Sequence, residues 1–225
     1  MKNISIAIDG PSGAGKSTLA RMTARHFGLI YIDTGAIYRS VGLFVLRSGV
    51  ASKDETAVSA LLPQIDIEIR HDETGMQRMF LNGEDVSDAI RLPEVSIYAS
   101  NVSAMPAVRR ALMGMQRGIA EKSSVIMDGR DIGTVVLPNA DLKIFLTASS
   151  EERAKRRYAE LCEKNIKADY YDVLRDIEYR DKNDSTRKEA PLRAADDAVM
   201  LDTTGNSLEK SFALIKKTVE ERLCL

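Results

Sequence analysis

Eight consecutive residues, Gly10-Pro11-Ser12-Gly13-Ala14-Gly15-Lys16-Ser17, fit the pattern G-x-x-x-x-G-K-[ST] in full, with Thr18 after them. That spacing suits the cradling of a chain of phosphates. Glycines let the backbone curl until several N–H groups face one anion. A helix starting at the end of the loop adds the partial positive charge of its N-terminus. Lys16 can reach the outer phosphates, and the Ser17 hydroxyl can ligate Mg²⁺. The implied ligand is a nucleoside triphosphate. A Gly-rich turn matching by chance would lack the right flanks, whereas here a β-branched apolar run precedes the loop and helical periodicity follows it.

The loop does not say what the triphosphate is used for, because switch GTPases, motor ATPases and small-molecule kinases share it. No Asn-Lys-x-Asp segment for guanine recognition is present. No long apolar strand ends in paired acids either; the third core strand ends in Asp128-Gly129-Arg130-Asp131. The arginines discriminate. Arg39 lies one helical turn after the second strand, Arg109 on a helix and Arg130 at a strand end. Arg153, Arg156 and Arg157 share a helix face, as do Arg180, Asp184 and Arg187 if their helix persists. A triphosphate alone does not need so many guanidiniums. Transfer between two phosphorylated substrates does, since both are anions, and arginine grips phosphate through two parallel hydrogen bonds. The competing reading is a set of solvated helix faces held by ion pairs, and it applies best to Arg156.

The elements that must position these groups follow from periodicity. Residues 4–8, 29–32, 124–127, 142–146 and 198–201 are short apolar runs, read as buried strands, with helices between them. Helices are expected over Lys16–Phe27 and from about Ala36 to Ser48. From Pro63 the texture changes. Ile65, Ile67 and Ile69 alternate with charged residues, Asp72 to Gly75 reads as a turn, and Asn82-Gly83 as a tight hairpin. This is a small antiparallel β insertion over about 63–97, set between residues 1–62 and 98–225 of the core. On the helix after Pro93, Val108, Ala111, Leu112, Met115 and Ile119 are expected on one face and Arg109 on another. Ser149 with Glu152 forms a capping box for a charged helical region to about Asp184. The pattern predicts an α/β fold whose five-stranded parallel sheet is covered on both faces. Ligands of such sheets bind beyond the carboxyl ends of the strands, where Asp9, Asp33, Asp128 and Asp202 fall.

The chain has 225 residues, 44% of them apolar, and a formal net charge of −1. One domain of ordinary size is expected, with no global attraction to nucleic acid or membrane. No apolar run nears the roughly 20 residues a membrane helix needs, so a cytoplasmic protein is the expectation. Cys162 and Cys224 read as free thiols, and His26, on a packed helix, and His71, in a turn, as non-catalytic.

Taken together, these segments resemble bacterial cytidylate kinase, of the P-loop nucleoside monophosphate kinases. The phosphate loop, Asp33-Thr34-Gly35-Ala36-Ile37-Tyr38-Arg39, Asp128-Gly129-Arg130-Asp131-Ile132-Gly133-Thr134, Lys143-Ile144-Phe145-Leu146, and Arg180-Asp181 with Asp184, Arg187 and Ala190-Pro191-Leu192 carry the likeness. The resemblance implies transfer of the ATP γ-phosphoryl group to CMP or dCMP, with Mg²⁺, by a monomer with a helical lid over about 150–188. It implies that Arg39, Arg130 and Arg187 clamp the acceptor phosphate and that Arg180 and Asp184 hold the sugar. Ser100, Arg109 and Asp131 match the cytosine readers, and Thr34 joins the acceptor site. Lys16, Arg153 and Arg157 would spread the γ-phosphoryl charge. Asp33 and Asp128 would orient metal-bound water or, equally, cap and ion-pair at strand ends. The alternatives are a broader UMP/CMP kinase and a nucleotide-binding switch ATPase.

Overall fold

The computed structural model describes residues 3–224. Along the chain run β1 (Ser5–Asp9), α1 (Lys16–Phe27), β2 (Ile30–Asp33) and α2 (Thr34–Arg47). A short helix, α3 (Glu55–Leu61), leads to β3 (Ile67–His71), β4 (Gln77–Leu81) and β5 (Glu84–Asp85). Then come α4 (Pro93–Val102), α5 (Pro106–Lys122), β6 (Val125–Gly129) and β7 (Leu142–Thr147). The last elements are α6 (Ser150–Glu163), α7 (Tyr170–Thr186), β8 (Val199–Asp202) and α8 (Leu208–Leu223).

The five β-branched runs form one parallel sheet in the order β2-β6-β1-β7-β8. Register sets the chemistry of its rim. Asp9 pairs with Gly129 and Phe145, and Asp33 with Asp128, so the carboxyl ends finish level and their acids share one edge. The inner strands are buried on both faces. Ile6, Ile8, Ile126, Ile144 and Leu146 meet α1 and α8 on one side, while Ala7, Ile32, Val125 and Met127 meet α5 on the other. Each of the larger side chains among these, Ala7 excepted, contributes about 1.5–3 kcal/mol by leaving water.

The second sheet is antiparallel, in the order β3-β4-β5. Its apolar side, Ile67, Met79 and Leu81, merges with Ile37, Val41 and Val45 of α2 and Val95 and Val102 of α4 in a common core. α2 and α4 approach so closely that a Cβ on Gly42 would lie 2.8 Å from the Ala99 nitrogen. A smaller cluster, Ala154, Leu161, Val173 and Ile177, joins α6 to α7.

Several local expectations need correction. Arg109 is buried and Ala111 exposed, because the buried face of α5 carries Val108, Arg109, Leu112 and Gln116, with Val108 and Leu112 packed into the core shared by α2 and α4. A carboxylate across the gap is what makes the buried arginine tolerable. The charged helical region is two helices, broken between Glu163 and Tyr170 with Asp169 capping the second. α3 and the single wide turn at Ile132–Val136 had no periodicity long enough to announce them. His71 ends β3 instead of lying in a turn, and His26 is exposed beside Phe27 and Phe212. The Ser149 hydroxyl does accept from the Glu152 amide, at 3.2 Å. Both cysteines are free. No helix among the described residues is long and apolar enough to cross a membrane.

Candidate active site

The phosphate loop joins β1 to α1 at the rim of the sheet. Gly10 sits at φ +151°, and a Cβ there would lie 1.9 Å from the Leu146 carbonyl oxygen, so the loop leaves the sheet only through glycine. α1 starts at Lys16 with Gly15 as its N-cap, no capping side chain and no acid in its first turn. Its first amides therefore lack an intrahelical partner and suit an anion. Lys16 is buried, and its Nζ donates to the Pro11 carbonyl at 2.8 Å. Burial, reinforced by the charge of Arg130, draws its ammonium well below the ordinary lysine value. An arriving polyphosphate would supply the missing counter-charge.

Behind the loop stand three acids. Asp128 accepts from the Ser17 hydroxyl and from the Tyr31 hydroxyl, each at 2.9 Å. Burial, and then the nearby Asp33, push its carboxyl up to about 6. Burial also lifts Asp9 to about 6, although it accepts from the Ile132 and Gly133 amides at 2.7 Å each. Asp9 thus anchors the turn that follows Asp131. Asp33 caps α2 through the Ala36 amide at 2.8 Å and pairs with Arg39 at 2.7 Å. Burial alone would raise its carboxyl, but Arg39 and that amide take it below the ordinary value. Thr34 donates from its hydroxyl to the Asp128 carbonyl at 2.7 Å. Among the described residues no three His, Cys, Asp or Glu side chains cluster as a metal cage. The donors offered at the rim are a hydroxyl and carboxylates, a hard oxygen set that suits Mg²⁺ completed by phosphate oxygens and water.

Facing the loop is a second set of charges. Arg109 of α5 pairs with Asp131, whose other oxygen receives Arg187 at 3.3 Å. Arg130 pairs with Asp184 of α7 at 2.8 Å. Burial alone would raise the Asp184 carboxyl, but Arg130, Arg180 and Arg187 together hold it below the ordinary value. Arg180 has a buried Nε without a partner among the described residues, and burial with Arg130's charge lowers it to about 10. A region so rich in desolvated guanidiniums favours an anion. Ser100 donates to Asp184 at 3.3 Å and accepts from Asn183 at 2.8 Å; Ser103 links it to Arg109 and Arg187.

Beside the phosphate loop a pocket of about 460 Å³, open to solvent, is lined by Ser12 and Gly13 of the loop, Ile97 of α4, Arg157 of α6, and Asp176 and Arg180 of α7, among others. Arg153 links the loop to α7. It donates to the Ser12 carbonyl at 2.9 Å and the Ala148 carbonyl at 2.8 Å, and pairs with Asp181 at 2.6 Å. Arg156 instead binds Thr203 and Glu152.

The structure thus brings Lys16, Arg130, Arg180, Asp184 and Arg187 within electrostatic reach of one another, with Arg39 and Arg157 near Arg180, Ser17 on Asp128, and Arg109 paired with Asp131 beside Arg187. Among the described residues Ser100 reaches the Arg109–Asp131 pair by hydrogen bonds through Ser103. Sequence reasoning passed over Tyr31, Ser103 and Asn183. Tyr31 reads as a core aromatic, Ser103 as a helix end, and only Asn183, next to Asp184, carried a positional signal.

A family model described as Cytidylate kinase matches residues 6–221. The cytidylate kinase of Caldicellulosiruptor bescii is 53% identical over 220 residues, which cover 98% of this chain and 96% of that one. The cytidylate kinase of Streptococcus pneumoniae is 46% identical over 223 residues, covering 99% and 100%. Among solved structures, an uncharacterized protein from Eubacterium ventriosum covers 98% of this chain and 100% of its own, with a TM-score of 0.55 and 15% identity. That likeness speaks to the fold alone.

Proposed function

The chain belongs to the cytidylate kinase family, and from that premise we propose that its cleft transfers the γ-phosphoryl group of ATP to CMP or dCMP, giving ADP and the diphosphate. The observation that carries the reading is the convergence of Arg39, Arg130, Arg180 and Arg187 on the cleft opposite the phosphate loop. A switch ATPase has no use for them.

In this reading Gly10, Pro11, Ser12, Gly13, Ala14, Gly15, Lys16, Ser17 and Thr18 hold the donor triphosphate. Mg²⁺ would be held by Ser17, with Asp128 and Asp33 behind it through water, and when bound it neutralises phosphate charge. Arg39, Arg130 and Arg187 clamp the acceptor phosphate, with Thr34 beside them, and Arg180 and Asp184 hold the sugar. Ser100, Arg109 and Asp131 read the base. A carboxylate can accept from the exocyclic amino group of cytosine. Uracil would turn a carbonyl toward it, and a buried group so unpaired costs about 1–3 kcal/mol.

No covalent intermediate on the protein is required; positioning and charge stabilisation suffice for an in-line transfer. Lys16 spreads the developing charge, joined by Arg153 and Arg157 from the lid over about 150–188. Closure of that lid excludes water that would otherwise hydrolyse ATP. The inserted sheet, about 63–97, belongs to the acceptor-binding half. Two exposed free thiols fit a reducing cytoplasm, and we take the working unit to be a monomer.

The test is a coupled ADP-release assay across a panel of monophosphates. CMP and dCMP should raise turnover far above the acceptor-free rate, with UMP well behind. Equal stimulation by UMP would favour the broader kinase. No stimulation by any acceptor would sink the proposal.

A further inference from the structure

β2 is an edge strand, and its outer main-chain groups face the inserted sheet. Two side chains from one antiparallel pair, His71 and Gln77, answer them. The His71 Nε2 lies 3.2 Å from the Tyr31 carbonyl oxygen. The Gln77 Oε1 accepts from the Asp33 amide at 2.8 Å, and its Nε2 donates to the Asp33 carbonyl at 3.3 Å. A primary amide that serves both the N–H and the C=O of one residue imitates a neighbouring strand. Gln77 is buried, at the margin of a cavity of about 400 Å³ that Ser17, Arg21, Asp33 and Arg91 also line.

The residue so clipped is the one that aims an acceptor arginine. Asp33 holds Arg39 through Oδ2. The Arg39 Nε is buried without a partner, and Asp33 is the guanidinium's one hydrogen-bonding partner among the described residues. A displacement of the Asp33 backbone would therefore pass directly to Arg39.

We infer that Gln77 is a positioning residue for the acceptor nucleotide: by clipping the inserted sheet to Asp33, it sets where Arg39 meets the acceptor phosphate. This rests on the reading of Arg39 as a phosphate ligand. It also gives the insertion a task, since the sheet then reports its own placement to the acceptor site.

Steady-state kinetics of the full chain test it. Gln77→Leu should raise the KM for CMP roughly three- to tenfold, the scale of one or two lost hydrogen bonds. The KM for ATP should stay within about twofold. Gln77→Asn, which keeps the amide but withdraws it by one methylene, should act in the same direction and serves if the leucine variant unfolds. Arg78→Ala, which breaks an exposed pair with Asp85 in the same sheet, should leave both KM values near wild type. In an Arg39→Ala background the Gln77 substitution should add less than about twofold, because its route has been removed. Parallel rises for ATP and CMP, an equal effect of Arg78→Ala, an undiminished effect without Arg39, or an unchanged KM in both Gln77 variants would each overturn the inference while wild-type turnover with CMP stands. Absence of that turnover in the wild type would instead overturn the functional reading beneath it.

Discussion

Arg109 and Asp131 are ion-paired with side chains only 4% and 5% exposed, and Arg187 takes the second oxygen of the same carboxylate. One carboxylate between two desolvated guanidiniums leaves an excess positive charge, which an acceptor phosphate near Arg187 would neutralise. A base that read Asp131 would share a group already in use, and the reading would be geometrically strict.

Replacing Asp131 tests that strictness. Alanine would strand two buried arginines, and breaking such a pair costs about 3–5 kcal/mol of stability. Asp131→Asn is the better probe, because its amide can donate to the uracil carbonyl. Its ratio of kcat/KM for CMP over UMP should fall about 10- to 100-fold. A ratio unchanged from wild type would remove Asp131 from base recognition.

Arg153 and Arg157 should separate. Among the described residues Arg157 makes only a surface pair with Glu160, worth little to stability. Arg157→Ala should lower kcat by about 10- to 100-fold with Tm nearly unchanged. Arg153→Ala should lower kcat and also cost several degrees of Tm, since it removes the link from Ser12 to Asp181. Thermal melts beside kinetics check both. An Arg157 variant of full activity would contradict its proposed role.

Gly10→Ala should be far more damaging than Gly28→Ala, although both glycines have positive φ. At Gly10 the added methyl meets the Leu146 carbonyl, whereas among the described residues nothing lies within 4 Å at Gly28. The first should cost more than about 4 kcal/mol and the second about 1 kcal/mol. Urea unfolding curves of the two variants measure the difference.

The acid limb of activity should reflect Asp128. Its carboxyl, at about 6, is ionised above that pH and accepts from Ser17 and Tyr31; below it the proton competes. Because the folded value lies above that of the unfolded chain, the same group favours folding below about pH 4 and loses that contribution as pH rises through 6. For catalysis the sign is opposite, and kcat/KM for ATP should fall as pH descends through about 6. Tyr31→Phe removes one donor to the carboxylate and should move the midpoint up by about 0.5–1 unit. Substrate phosphates titrate nearby, but equally for both proteins, so the difference between their profiles isolates Asp128. Coincident profiles would dissociate Asp128 from the step.

Much of the fold was legible because its signals are local. The run Ile4 to Ile8, the glycines after it and the stripe from Leu19 lie within a few turns of chain, and α1 spans the expected residues. The inserted strands likewise follow from alternation and from Asn82-Gly83. What stayed hidden depends on partners far away in sequence. Arg109 looked like a solvated residue because its burial is decided by Asp131, 22 positions later. Tyr31 looked like core because its hydroxyl is answered by Asp128, 97 positions on. The sequence sets Arg153 among the lid arginines, yet its guanidinium is held by the Ser12 carbonyl, which no side-chain pattern encodes.

The clip on β2 has a consequence for the behaviour of many copies together. The outermost strand of an open sheet is a template on which a second chain can lay its own strand, the first step toward aggregation. Here the Tyr31 carbonyl and both main-chain groups of Asp33 are occupied by side chains, which cannot propagate a ladder as a backbone would. The contacts that hold the inserted sheet to Asp33 thereby also seal this edge in the folded chain. A chain that drifted toward a shorter insertion would have to seal that edge by other means.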